Sequence, residues 1–591
     1  METHTNKAAL CAPSSEIYKY SRVDSELNEI RVAKILPGNR TEPLICQLSN
    51  VFLTDNPSYE ALSYTWGNEE ACRSISINGK NASITKNLES ALRRLRSADK
   101  IVTIWVDSIC INQEDLTERG AQTSRMRSIY RQADLVRVWL GDSGEEGDLA
   151  WTLLQDLDNA SEAIINDIIG DYSRFEQFQA LKKLFRRRYW FRVWVVQEVT
   201  LGRDVSVYWG EHSISWNRLY AICENLKHLK EYLIRSFYPN DPTSVFSLLT
   251  GGPKSLTLTK RSFPTPPETQ PSLLDLLYTH MSKHSTDPRD KIYALIGISN
   301  SLDTFGPIDY KRSIIDTFTY TARYIISTTG NLDIICICQN EDVKYDLPSW
   351  VPDWERRNEY PLHRVMGLHI RYPQFQASGK NYTAIVSFSE NSRILRARGF
   401  TVDTIQEVSS KFWINGNHGN NVKVIQTLHT FKEWLALYLR FKGAEASLEE
   451  FNNTFCGGSW AAVYDVHHKK RIQLFCSLFK ILLPGVEFSS APSFSAATVE
   501  SVEDQRATVS AASLRMHNKR LALSKVEKLA CLAPADAREG DLICILLGCD
   551  YPVLLRQVDG HHILVGEVYV DGKMHGEAMH LKPEAIDFEI H

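Results

Sequence analysis

A single carboxylate stands inside an aromatic, arginine-rich run: Glu198 is the one acid in "RRYWFRVWVVQEVTLG", Arg187 to Gly202. If that run is helical, Trp194 and Glu198, four residues apart, share a face, with Phe191, Val195 and Val199 as the adjoining apolar stripe. Glu198 then sits at the border of the core beside an aromatic surface, where burial lifts a carboxyl pKa. Such an acid either does chemistry or balances a charge network with Arg192 or Arg203. Other candidates lie far away in sequence. Tyr64, Trp66 and Gly67 close one apolar stretch, and Asp107 ends another, followed by Asn112 and Gln113. The two aromatics suit either turn packing or a stacking surface for a flat ligand. Asp107 either binds a ligand or caps the turn "SICINQ" through its backbone N–H groups. Asn112 and Gln113 are read first as fixing that loop, and Gly67 as serving a backbone turn. Cys110 has no identifiable His partner and reads as a buried thiol.

Something must bring these scattered residues together. "NEIRVAKILPG" and "EPLICQLSNVFL" read as two strands joined at Pro37-Gly38, "YEALSYTWG" as a third, and "RSISINGKNASI" as a hairpin with Asn78-Gly79 at its tip. "TKNLESALRRLRS" sets Leu88, Ala91, Leu92 and Leu95 at helical spacing behind a Thr85 or Asn87 cap. "IVTIWVDSI" is nearly all apolar, as a strand buried on both faces is. A helix follows with Gln122, Met126, Ile129, Tyr130 and Ala133 on one stripe, then the short strands "DLVRVWLGD" and "DVSVYWG". This alternation predicts a doubly wound α/β sheet, in which ligands sit beyond the carboxyl ends of the strands. Those ends are Tyr64–Gly67, Asp107–Gln113 and Gly141–Asp142, which would converge on one edge.

With 591 residues the chain exceeds one core. We expect an N-terminal tail (1–27), the α/β domain (28–215), a mainly helical region (216–345) with a mobile Pro/Ser/Thr-rich loop at 251–272, and a β-rich region (346–591) with a flexible insertion at 488–513. The junction into that last part is read at "DLPSWVPDWE", Asp346 to Glu355, and its strands are compatible with a small β-barrel. A net charge of −4 with 43% hydrophobic and 23% charged residues is that of an ordinary soluble protein and gives no argument for nucleic acid or an anionic membrane. "IQLFCSLFKILLPGV" is too short for a spanning helix and reads as a buried one. Twelve cysteines without CxxC pairs point to reduced, mostly buried thiols in a cytoplasmic protein, with no metal site and no cofactor.

Three stretches carry a recognisable pattern. "YEALSYTWG", "IWVDSICINQEDLTERGAQTSRMRSIYRQADLVRVWLGD" and "YWFRVWVVQEVTLG" resemble, in order and spacing, the successive motifs of the fungal heterokaryon incompatibility (HET) domain. The resemblance implies a filamentous fungal source and a role in non-self recognition and programmed cell death. HET domains are in turn similar to TIR domains, whose flavodoxin-like sheet and enzymatic members that cleave NAD at the nicotinamide–ribose bond set the further expectation. "LSYTW" resembles the first TIR strand, "IWVDSI" the second and "DLVRVWLGD" the third. Trp194-Val-Val-Gln-Glu198 matches the Trp-x-x-x-Glu of the TIR catalytic helix; "CINQED" departs from the glycine often found after the second TIR strand. The likeness makes Glu198 the catalytic carboxylate. It assigns NAD contacts to Tyr64, Trp66, Gly67, Asp107, Asn112, Gln113, Trp194 and Arg192, with Arg186, Arg187 and Arg188 as further partners for the pyrophosphate. Bound NAD carries a pyridinium that departs as neutral nicotinamide, so one carboxylate suffices where ordinary glycosidases need a pair. The alternative is a non-enzymatic signalling or scaffold module working through self-association or through another incompatibility or receptor protein.

Overall fold

The computed structural model describes residues 16–24, 27–66, 72–228, 252–261, 270–338, 344–355, 375–380, 382–413, 420–455, 457–458, 513, 516–581 and 584–591. The chain divides into two compact units, Met1–Arg312 and Ser313–His591.

In the first unit, β1 (Glu29–Ile35) and β2 (Ile45–Phe52) form an antiparallel pair, and β3 (Glu60–Ser63) follows. The hairpin of β4 (Cys72–Ile77) and β5 (Lys80–Thr85) turns at Asn78 and Gly79, both at positive φ (51° and 77°), as a type I′ turn requires. Helix α1 (Lys86–Leu95) starts where the Thr85 side chain accepts from Leu88 N, and it buries Leu88, Ala91, Leu92 and Leu95. Next come β6 (Val102–Trp105), the single turn α2 (Asp107–Cys110), α3 (Leu116–Gln132) and β7 (Val136–Trp139). Helices α4 (Gly144–Leu157), α5 (Glu162–Gly170) and α6 (Phe175–Phe185) lead to α7 (Trp194–Leu201), then β8 (Val205–Trp209), β9 (His212–Ser215) and α8 (Trp216–His228).

The sheet order is β5-β4-β2-β1-β6-β3-β7-β8-β9. Its centre, β6-β3-β7-β8, is all parallel, while β1 pairs antiparallel with β6 and β9 with β8. Numbered along the chain, those four central strands run 2-1-3-4. The crossovers β6→β7 and β7→β8 step the same way, and α3 packs on α7 as right-handed connections on one face require.

Three local readings are corrected. The apolar run 101–109 is not one strand: β6 stops at Trp105, and Asp107 opens a helical turn whose Cys110 and Ile111 N–H groups bond back to Val106 and Asp107. The run 187–202 is not one amphipathic helix: Arg188–Phe191 is a 3-10 turn, and α7, beginning at Trp194, is buried from Val195 to Leu201. Phe191, in that turn, is 36% exposed and no part of an apolar stripe. The stretch 251–272 is not wholly loop. Lys254–Arg261 is helical, because Leu256 is fully buried and the segment packs on α7. The helix Asp290–Ile296 covers α7 as well. That double cover is why Val195–Leu201 presents no exposed face.

The second unit is β-rich after the helix Ile314–Thr329. Its strands are β10 (Val386–Phe388), β11 (Leu395–Val408), β12 (Lys519–Ser524), β13 (Ala530–Pro534), β14 (Leu542–Leu546), β15 (Val553–Val558), β16 (His561–Glu567), β17 (Tyr569–Val570) and β18 (Ile586–Ile590). The long β11 pairs with both β14 and β18, which closes β14-β15-β16-β18-β11 into a ring. Ile405, Ile543, Leu554, Val565 and Val568 are among the residues of its core. The eight cysteines whose side chains are described are buried and form no disulfide. Ile472–Val486 and, apart from Ser513, the stretch 488–513 lie outside the described residues. Among those described, no helix is long and apolar enough to cross a membrane.

Candidate functional site

Because Ala61 of β3 lies beside Trp105 of parallel β6, the chain leaves both strands at the same edge. Hydrogen bonds tie the two exits together. The hydroxyls of Tyr64 and Ser108 are 2.6 Å apart, and Trp66 Nε1 donates to Asp107 Oδ2 at 2.8 Å. Asp107 Oδ1 accepts the Ser108 N–H at 2.7 Å. The third strand joins through Asn87, whose amide donates to Thr65 O (2.6 Å) and accepts from Trp139 Nε1 (3.0 Å). Gly67 lies outside the described residues.

The loop after α2 is built from below. Arg31 on β1, wholly buried, grips Glu118 with two guanidinium nitrogens (2.6 and 3.0 Å) and donates to Cys110 O at 3.0 Å. Glu118 in turn accepts from Asn112 N at 2.8 Å, and Gln113 Nε2 donates to Asp107 O at 3.0 Å. The Asn112 and Gln113 side chains thus organise the loop: Asn112 Oδ1 takes the Glu114 N–H at 3.3 Å.

Glu198 reaches this edge from α7, which contacts both α3 and β3. It is 2% exposed, and its Oε2 accepts from the hydroxyl of Ser63, the last residue of β3. The Ser63 hydroxyl is also 2.7 Å from that of Tyr189, so three buried side chains form a chain Tyr189–Ser63–Glu198. A carboxylate only accepts, so Ser63 must donate to it and take its own hydrogen bond from Tyr189. Burial pushes the Glu198 pKa from 4.5 to about 7; Arg192 and Ser63 pull it down, and Asp107 pushes it further up. Asp107 is raised by the same loss of solvent, opposed by Arg192 and by the bonds from Trp66 and Ser108. Arg192 therefore faces two carboxylates. Among the described residues its guanidinium makes no hydrogen bond or ion pair.

The other expected residues part company. Trp194 opens α7 and hydrogen-bonds Asp290, which also accepts from the Tyr310 hydroxyl at 2.7 Å; the indole serves the cover of α7. Arg187 spends its guanidinium on Leu140 O (2.9 Å) and Asp142 O (2.8 Å), which braces the end of β7, while Arg186 and Arg188 are exposed. Tyr64 is 2% exposed, against 37% for Trp66, so of the two aromatics only the indole offers a surface. Ser63, Tyr189 and Arg31 were not singled out as site residues; each acts on a partner more than 75 residues away, and no local spacing marks it. No group of three or more His, Cys, Asp or Glu among the described residues is placed to hold a metal ion.

With this geometry in place, likeness to known proteins becomes informative. The family described as "Heterokaryon incompatibility protein (HET)" matches residues 59–198, from the lead-in to β3 to Glu198 itself. The chain is 27% identical to the Neurospora crassa protein named "Heterokaryon incompatibility protein 6, OR allele", with 70% of each chain covered. No solved structure matches it. Residues 59–198 thus match the HET domain, and that match spans the sheet edge and the carboxylate described above.

Proposed function

We propose that the chain acts in heterokaryon incompatibility and that its HET domain is TIR-like, hydrolysing NAD at the nicotinamide–ribose bond with Glu198 as the catalytic carboxylate and cell death as the outcome. One observation carries the reading: a buried carboxylate with a pKa near 7 shares a strand-end site with Arg192, whose guanidinium has no hydrogen-bond partner among the described residues, and a part-exposed indole, Trp66. The 2-1-3-4 order of the parallel strands, the order of a flavodoxin-like sheet, supports the TIR likeness. In this reading Glu198 stabilises the oxocarbenium that forms as neutral nicotinamide leaves. Water then adds to the sugar carbon and gives up one proton, for which a carboxylate of pKa near 7 is a suitable acceptor. Asp107 holds ribose hydroxyls, Arg192 meets the pyrophosphate, and Trp66 stacks on a ring.

Glu198 is enclosed in this state, so turnover requires a movement that opens it. That fits an activity switched on by assembly. The same enclosure favours the second reading, a signalling module in which Glu198 only braces β3. Incubating the protein with NAD over a range of protein concentrations and quantifying nicotinamide separates the two. The enzyme releases nicotinamide, more per molecule as assembly proceeds; the module releases none at any concentration.

A further inference from the structure

A cleft of about 490 Å³ lies at one end of the barrel in the second unit, and neither the HET-domain match nor the NAD reading involves it. Its lining comes from rigid elements: Arg556 on β15, His561, Ile563 and Val565 on β16, and the β13–β14 turn carrying Asp536 and Arg538. The volume falls within the range of small-molecule sites.

The donors are unevenly used. Arg556 is aimed by a two-point bond to buried Asp541 (2.8 and 2.9 Å) and a third to Asp536 O (2.8 Å), which leaves its Nη1 without a partner among the described residues. The Arg538 guanidinium and the His561 ring nitrogens likewise make no hydrogen bond there. Asp536 is the opposite case, a lining carboxylate with no ion pair among the described residues. Ile563 and Val565 supply an apolar wall. The guanidinium fork of Arg538 and the single remaining Nη1 of Arg556 match the oxygens of a phosphate or carboxylate. A free carboxylate two residues from Arg538 instead wants a hydroxyl or N–H. The lining guanidiniums are balanced by Asp346, Asp536 and Asp541, so the cleft has no charge excess to attract a bare anion. Recognition must come from directed bonds at both ends of one ligand.

We propose that this cleft binds a small phosphomonoester that also carries sugar hydroxyls, with the phosphate on Arg538 and Arg556 and a hydroxyl on Asp536. Calorimetric titration of the full chain with AMP, and with adenosine as the phosphate-free control, tests it. Chemical shifts of the histidine imidazoles are followed in parallel. AMP should bind at least about tenfold more tightly than adenosine and shift the His561 resonance, and the changes Arg538→Glu, at an exposed residue, and Asp536→Asn, at a part-buried one, should each weaken AMP at least about tenfold. Circular dichroism confirms that both variants stay folded. Absent AMP binding, AMP and adenosine binding alike, or AMP binding unchanged in folded Arg538→Glu would each overturn the proposal. Glu198 takes no part in these measurements, so the NAD reading stands or falls separately.

Discussion

The chemistry of the Glu198 carboxyl is set by two neighbours, Ser63 and Arg192, acting against burial. The Ser63 hydroxyl bond and the Arg192 charge lower its pKa, and loss of solvent raises it to about 7. Removing the hydroxyl should release the upward push. Ser63→Ala is expected to move the acid limb of any nicotinamide-release profile to higher pH, and an unmoved limb would show that the bond does not tune the acid. Tyr189→Phe, which keeps the Ser63 donor, should move the limb less. Glu198 also couples to stability. A carboxyl whose folded pKa is raised binds more protons folded than unfolded, so its contribution falls as pH rises from 4.5 toward about 7. Glu198→Gln, which cannot ionise, should therefore gain on the wild type by up to a few kcal/mol, on the order of 1.4 per pKa unit, as pH climbs through that window. Denaturant midpoints at pH 5 and pH 8 measure it, and a constant difference between the proteins would mean that the carboxyl is not strained.

The elements that hold Glu198 come from distant parts of the chain. Lys260, on the helix Lys254–Arg261, donates to Val199 O (2.9 Å) and Gly202 O (2.7 Å), placing a cation at the C-terminal end of α7. Gly202 itself is pressed so close to Val136 that an added Cβ would lie 2.7 Å from it. Lys260→Met keeps the stem but leaves those carbonyls unpaired, a loss of about 1–3 kcal/mol. Thermal unfolding should report it, and an unchanged Tm would show that the cap is idle. What was legible at this scale was local. The Asn78-Gly79 turn, the Thr85 cap, the α1 stripe and the apolar parallel strands follow from residues within a turn or two of each other. The failures were tertiary. Trp194 and Glu198 do stand one turn apart on α7, but Asp290 hydrogen-bonds the indole, and no spacing within the run could show that. Composition marked 251–272 as loop, yet Leu256 and Lys260 find partners on α7 and keep Lys254–Arg261 helical.

At the scale of the whole molecule the sheet and its site are complete only with the segments that follow the sheet. The HET match ends at Glu198, and β9 closes the sheet by Ser215. The cover of α7, however, comes from Lys254–Arg261 and Asp290–Ile296, within the unit that ends at Arg312. A fragment ending at residue 215 should expose the apolar flank of α7 and aggregate or lose cooperative unfolding, whereas one ending at residue 312 should fold. Size exclusion and urea titration of both fragments decide this, and a well-behaved 1–215 fragment would show that the cover is dispensable. The convergence of strand ends was readable because parallel strands share an edge. The Tyr189–Ser63–Glu198 chain was not, since it joins residues 126 and 135 positions apart that meet only once the sheet has formed.

Nicotinamide release from NAD is measured for wild type and Glu198→Gln at the same protein concentration, with circular dichroism showing both folded. The proposal predicts turnover in the wild type and a fall of about 10²–10³-fold or more in the variant, the scale of losing a preorganised charge at the reacting centre. Equal turnover in a folded Glu198→Gln protein would contradict it.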